Sequence, residues 1–318
     1  MWTTLEQIFP YAIMFTIPLL ITALGGLFSE RSGVVNIGLE GLMVIGSFVG
    51  AYVIVKLQPV WPDSPAVVIW VGLAAAVAAG VLFSLLHAFA SIHLSANQVI
   101  SGTAINMIAG ALTIFLARNM TGSGNIRIDF ALEPFDFPLL SKIPVIGELF
   151  FTKTYMTTWV ILGIVVLSAL ILKYTAFGLR LRACGEYPQA AEAAGVNVRM
   201  MRYIGVMISG GFSALGGAVL LVTIAGEFTG TVAGLGFLAL AALIFGQWRP
   251  IGILAATLFF GFASTVANVS QVIPALSVFP PVILKVFPYV VTLIALVLFS
   301  KSSQAPKAAG EVFDSGKR

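Results

Sequence analysis

The apolar residues of this chain come in unbroken runs close to the length of a membrane-spanning helix, and no other feature constrains the fold as strongly. Runs at 8–28, 66–90, 157–173, 203–224, 251–269 and 282–300 hold few or no charges. With 59% hydrophobic and 9% charged residues among 318, and a mean hydropathy of +1.02, the chain carries more apolar surface than a soluble core of this length can hide. A transmembrane β-barrel is excluded, because its strands would read as alternating segments of about ten residues. The expected fold class is an all-α polytopic membrane protein of eight to ten transmembrane helices, some broken or re-entrant, with no folded soluble domain.

Residues 1–300 form the membrane domain in this reading. The tail 301–318, with four basic and two acidic residues, is expected to be disordered. Glu6 but no Lys or Arg precedes the first run, so a cleaved signal peptide is not expected. The single cysteine, Cys184, allows no internal disulfide, and no Cys/His cluster offers a metal site.

Charge is concentrated in one place. The stretch 173–202 carries Lys173, Arg180, Arg182, Arg199 and Arg202 against Glu186 and Glu192. A short helix is expected inside it, opening at Pro188, running through Ala190, Ala191, Ala193 and Ala194, and closing at Gly195. The longest polar segment, 118–156, is neutral, with four basic and four acidic residues. Because basic residues accumulate in cytoplasmic loops, 173–202, Arg249 and the tail go inside and 118–156 goes outside. Counting each run as one crossing gives nine spans with an external N-terminus; a split or re-entrant run gives ten or eight with an internal one.

Breaks are expected where polar residues and glycines interrupt apolar runs: around Asn36, Gly38, Glu40 and Gly41, at Gly226–Gly230, and at Gly246–Pro250. Glu40 and Glu227 are costly toward lipid, so each faces a substrate path, caps a short helix or meets water at a membrane surface. Asn97, Ser101 and Asn106 share one face of a helix and should look into the bundle, either as part of a path or as helix-joining hydrogen bonds. The small-residue spacings Gly205…Ser209 and Ser213…Gly217 read as packing signals. His87 and His93, near the end of a span, read as interfacial. No Gly-x4-Gly-Lys-Ser/Thr loop is present, so the chain does not hydrolyse ATP by the P-loop route, and no nucleophile–base arrangement suggests catalysis.

Three stretches together resemble a known family: SERSGVVNIGLEGLMVIGSF (29–48), LRACGEYPQAAEAAGVNVRMMRY (181–203) and GLGFLALAALIFGQWRPIGILAATLFFG (234–261). They are similar to the permeases of bacterial ABC importers of the type II architecture, in the branch for simple sugars, branched-chain amino acids and nucleosides. The first stretch points to the nucleoside branch.

The resemblance implies a multi-pass protein of the bacterial cytoplasmic membrane, without a cofactor, that translocates a small molecule by alternating access. Its implied partners are a cytoplasmic ATP-binding cassette ATPase, an extracytoplasmic substrate-binding lipoprotein, and a second related permease in a heterodimer, or a copy of itself in a homodimer. Nucleic acid is not among them. Gly185, Glu186, Pro188, Ala190, Ala191, Ala194 and Gly195 match the helix that couples such permeases to the ATPase. The Ile-x-Leu-Pro ending common in the wider superfamily is replaced by VNVRMMRY, so its details do not carry over. A neutral, polar nucleoside suits a path with few charges, and Asn36, Glu40, Asn97, Asn106 and Phe228 are the candidate path residues. The rival readings are a sugar or amino-acid cargo, a proton-coupled transporter using Glu40 or Glu227, and a membrane scaffold.

Overall fold

The structure is a computed structural model that describes residues 2–269 and 304–314, together with 282, 283, 286, 287, 290 and 294. Its long helices are α1 (Trp2–Arg31), α2 (Leu39–Leu57), α3 (Pro65–Ile92) and α4 (Gln98–Thr121). After the two-residue strand β1 (Ile126–Arg127) and the short α5 (Ile146–Phe150) comes α6 (Met156–Tyr174). Next are α7 (Ala176–Glu186), α8 (Pro188–Ala193) and α9 (Val198–Leu220), which runs on through a π-turn at Leu221–Ala225. Strand β2 (Glu227–Phe228), the short α10 (Leu235–Phe245) and α11 (Pro250–Val269) follow. Among the described residues seven helices are long and apolar enough to cross a membrane. The expected last span, 282–300, and the proline-containing loop before it lie outside the described residues.

The center of the bundle is α9, which packs against α1, α2 and α3. It can do so because Ser209, Gly210, Gly211, Ser213, Ala214, Gly216 and Gly217 present almost no side chain, and close backbone approach replaces hydrophobic drive inside a membrane. A Cβ built on Gly217 would lie 1.9 Å from the Met43 carbonyl oxygen of α2, and one on Gly46 of α2 would lie 2.0 Å from that of Ala214. The small-residue spacings of 205–217 are therefore packing contacts. Gly217→Ala should cost about 1–3 kcal/mol through overpacking, read as a lower unfolding temperature of the detergent-solubilized protein. Gly110→Ala, whose added methyl meets nothing within 4 Å, is the matched control and should leave that temperature unchanged.

The two ends of the bundle are distinct. At one end, residues 118–156 cover the helix ends: the Gln58 side chain accepts from the Asp129 and Phe130 amides, and Phe9 of α1 stacks edge-on against Phe150 of α5. At the other lie α7 and α8, where Arg31 at the end of α1 faces Glu186 at 3.5 Å.

Between these ends, residues 227–248 make an eighth traverse that is helical only in part. β2 pairs with β1 at the loop end, in the register Ile126↔Phe228 and Arg127↔Glu227. Trp248 sits at the α7–α8 end, its carbonyl accepting from Arg31 Nη2 at 2.8 Å. The helix within this traverse, α10, has 11 residues, about 16 Å of length against a hydrocarbon core of about 30 Å. The remainder is irregular backbone.

The tail expectation is corrected for residues 304–314, which are packed on the α7–α8 end. The Ala308 and Gly310 amides donate to the carbonyls of Gly185 and Gly33. The side chains of Arg202 and Arg249 bond Glu311 O and Gln304 Oε1. A polar composition suggested disorder, but here the bundle supplies the backbone partners that an isolated segment lacks.

Candidate functional site

Residues 32–38, between α1 and α2, leave helical geometry inside a buried neighborhood, so their backbone groups need partners that water cannot provide. The amides of Ser32, Gly33 and Val34 still bond carbonyls of the last turn of α1, whereas Val35 and Ile37 take sequence-distant side chains as partners. The Val35 amide donates to Gln98 Oε1 at 2.6 Å, and the Val35 carbonyl lies 3.1 Å from His87 Nε2. A carbonyl only accepts, so Nε2 carries the proton, and His87 Nδ1, 3.0 Å from Ser101 Oγ, accepts from that hydroxyl. Asn106 closes the break from the other side: its Nδ2 donates to Ile37 O at 3.0 Å and its Oδ1 accepts from the Gly41 amide at 2.7 Å. Asn36 is fully buried, donating to Ser209 Oγ and accepting from its own loop at Gly38.

Glu40, one residue into α2, reaches across to the broken traverse. Its Oε1 accepts from the Gly234 amide at 2.9 Å and its Oε2 from the Gly236 amide at 2.7 Å. A carboxylate thus caps the N-terminus of α10, where unpaired amides and the helix dipole favor negative charge. Of the alternatives for Glu40, helix capping is what the geometry contains. Glu227 lies at the loop end opposite Arg127 in the β pairing.

From Phe228 to Gly234 the chain descends beside α2 and α4. Phe228 stacks edge-on against Phe48 at 5.5 Å, and Gly230 lies against Ile114. Phe48 is two helical turns beyond Glu40, roughly 12 Å. Within this drop Thr229, Thr231 and Ala233 are exposed while Phe228 and Val232 are buried. A strand-like alternation therefore displays two threonine side chains at membrane depth.

The predicted path residues are thereby separated. Asn36, Glu40 and Asn106 come together at the break; Phe228 lies about two turns away, buried against Phe48. Asn97 does not face the bundle. It is exposed and caps α4, its Oδ1 accepting from the Val99 and Ile100 amides. Gln98, the neighbor that sequence reading passed over, takes the inward position. His87 is likewise corrected, from interfacial to fully buried, because the break needs its donor. Thr229 and Thr231 were also missed; the available signal was their alternation with glycine in GEFTGTVAG.

At the α7–α8 end, Thr175 caps α7 by accepting from the Gly178 amide. Pro188 opens α8 with its fixed φ, at a position where the N–H it lacks would have had no intrahelical acceptor. Gly195, at φ +83°, closes the turn, and Asn197 caps α9 through the Met200 amide. Of the residues matched to a coupling helix, Gly185, Pro188 and Ala191 are buried and anchor the element. Glu186 is half-exposed, and Ala190, Ala194 and Gly195 are exposed. Tyr187 and Gln189 join this outer surface. Beneath it, burial pushes the Cys184 thiol up to about 11. Membranes treated with a thiol-reactive maleimide at neutral pH should therefore leave Cys184 unlabeled, while denaturation should expose it; labeling of the native protein would contradict its burial.

A polytopic bundle with a side-chain-satisfied break, one half-helical traverse and a short helix projecting from one end has the features of a transport permease. The chain belongs to the family described as the branched-chain amino acid transport system / permease component, which it matches over residues 8–296. It is 47% identical to the guanosine ABC transporter permease protein NupQ of Bacillus subtilis (strain 168), covering 99% of this chain and 98% of that one. It is 41% identical to the nucleoside ABC transporter permease protein NupC of Lactococcus lactis subsp. cremoris (strain MG1363), covering 96% of each. A putative glucose ABC transporter permease, TsgC13 of Haloferax volcanii, is 33% identical over 80% of this chain and 74% of that one.

Proposed function

We propose that this chain is a membrane permease subunit of an ABC importer for nucleosides, driven by a separate ATPase and supplied by an extracytoplasmic binding lipoprotein. The observation that carries the cargo is the likeness, over nearly the whole chain, to permeases named for guanosine and nucleosides. The more distant likeness to a permease named for glucose makes simple sugars the second reading. A second, related permease completes the pore in this proposal, with the exposed faces of α3, α4 and α6 turned to that partner or to lipid.

The α8 helix is the ATPase-docking element, which places α7, α8 and residues 304–314 in the cytoplasm. The chain then crosses nine times from an external N-terminus. Residues 227–248 are the broken seventh crossing, and 282–300 is the ninth on the strength of its sequence alone. The path follows the irregular backbone of 229–234, where Thr229 and Thr231 offer hydroxyls to ribose and base edges on the way toward Glu40 and Asn106. Closure of the ATPase moves α7 and α8, and through the Arg31–Glu186 contact and the Trp248 carbonyl that motion reaches both α1 and the broken crossing.

The test is uptake of labeled guanosine by a host without its own nucleoside importers, expressing the chain with and without the ATPase, second permease and lipoprotein from its own genome. Uptake should require the full set and persist when an uncoupler collapses the proton gradient. Uptake by this chain alone, abolished by the uncoupler, would establish the proton-coupled alternative. Guanosine-independent glucose uptake by the full set would establish the sugar reading.

A further inference from the structure

Residues 304–314 lie on both flanks of α8. On one side a cleft of about 520 Å³ is bounded by Glu186, Tyr187, Pro188 and Gln189 from the α7–α8 corner, and by Lys307, Ala308 and Glu311 from the tail. On the other a cleft of about 390 Å³ runs from Glu192 to Arg199, with Phe313 of the tail as its far wall. The α8 helix is a ridge between two slots, and each slot has one wall built from the C-terminal segment.

That segment is fixed by main-chain groups: the Ala308 amide to Gly185 O, the Gly310 amide to Gly33 O, and Glu311 O to Arg202 Nη1 at 2.9 Å. Phe313, buried, lies under the Arg202 guanidinium at 5.7 Å. The side chains of Lys307 and Glu311 make none of these hydrogen bonds and both residues are exposed, the Glu311 carboxylate adding an electrostatic attraction to Arg202. Lys307 is displayed by the fold rather than used by it.

Area decides what the clefts are for. A stable interface buries about 800 Å² per partner, and the six residues of α8, three of them alanine, cannot supply that alone. Adding the tail converts a small apolar ridge into a broad surface carrying both charge signs, Glu186, Glu192 and Glu311 beside Lys307 and Arg199. A surface of that kind fits the polar rim of a protein partner.

We propose that the C-terminal segment around Lys307–Phe313 is part of the ATPase-docking surface, seating the partner's groove walls in the clefts on either side of α8. This rests on the docking role given to α8 above. Because the segment also bonds Gly33, at the start of the α1–α2 break, the partner's position is transmitted directly to that break as well as through α7.

The experiment uses the assembled transporter in membranes. Single cysteines are placed by Gln189→Cys, Lys307→Cys and Glu311→Cys, each labeled with a maleimide-benzophenone and illuminated. The buried native Cys184 provides the background, and unlabeled wild type is the blank. The expected result is a photo-adduct with the ATPase subunit from all three positions, together with an approximately tenfold loss of ATPase retained on purification of the Lys307→Glu/Glu311→Lys double variant. Adducts from Gln189→Cys but from neither tail position, with full ATPase retention in the double variant, would overturn the tail's role while leaving α8 docking intact. Adducts from none of the three would overturn α8 docking itself, and this proposal with it.

Discussion

Glu186→Arg is expected to abolish ATP-driven uptake while the protein remains folded in the membrane. The native pair with Arg31 is 3.5 Å apart, with 43% of the Glu186 side chain exposed. Arg31 is the more buried partner, with 16% of its side chain exposed and Arg182 and Arg249 close by, so losing the attraction and adding a like charge should cost the fold up to about 3 kcal/mol. The proposed docking surface has less tolerance. A like-charge juxtaposition in an interface costs several kcal/mol, enough to weaken ATPase association by at least about 100-fold. Membrane insertion should persist with a somewhat lowered unfolding temperature, ATPase should be lost on purification, and nucleoside uptake should fall to background. Unimpaired uptake would remove Glu186 from the coupling element and favor the scaffold or proton-coupled readings.

Glu40→Ala should be the most damaging single change inside the membrane. It removes the acceptors of the Gly234 and Gly236 amides together and leaves two partly buried donors unpaired at the start of α10. Hydrogen bonds to a charged group are worth roughly 1.5–3 kcal/mol each, so the expected loss is about 3 kcal/mol or more. The broken crossing loses its register against α2, and uptake should fall at least about 100-fold, with a lower unfolding temperature. Glu40→Gln keeps one good acceptor but turns an amide N–H₂ toward a backbone N–H, so it should fall between wild type and Glu40→Ala in both measurements. Gly236→Ala gives an independent check, since its Cβ would lie 2.4 Å from Glu40 Cα. A transported-proton role would instead make Glu40→Gln as inactive as Glu40→Ala without a matching loss of stability.

The candidate site was legible wherever the signal is local. Pro188 at a helix start and Gly195 at its end are short-range backbone chemistry, so α8 could be placed from sequence and was found where expected. The three interruptions at 32–41, 226–230 and 246–250 were legible for the same reason: glycine, proline and charge do not continue an apolar helix. What sequence could not supply was the partner of each polar group. Asn97 and Gln98 are adjacent and both amides, yet one caps α4 in the open and the other holds Val35 in the interior. Only the rotation of α4 about its axis separates them. His87 looked interfacial because it stands near a span end, but α3 carries it into the break of another segment.

Alone, then, the sequence determined that this chain is a helical membrane bundle, where its helices fail, and that a short alanine-rich helix with basic flanks lies between two of its spans. Hydropathy, helix-breaking residues and charge distribution act along the chain and are readable there. The tertiary structure decided that Glu40 caps α10, that Asn106, Gln98 and His87 take the place of water around residues 32–38, and that the tail settles against α8. Those outcomes depend on which backbone groups are left unpaired once distant helices meet. In a membrane interior, each such group draws in whatever donor or acceptor the packing brings within reach.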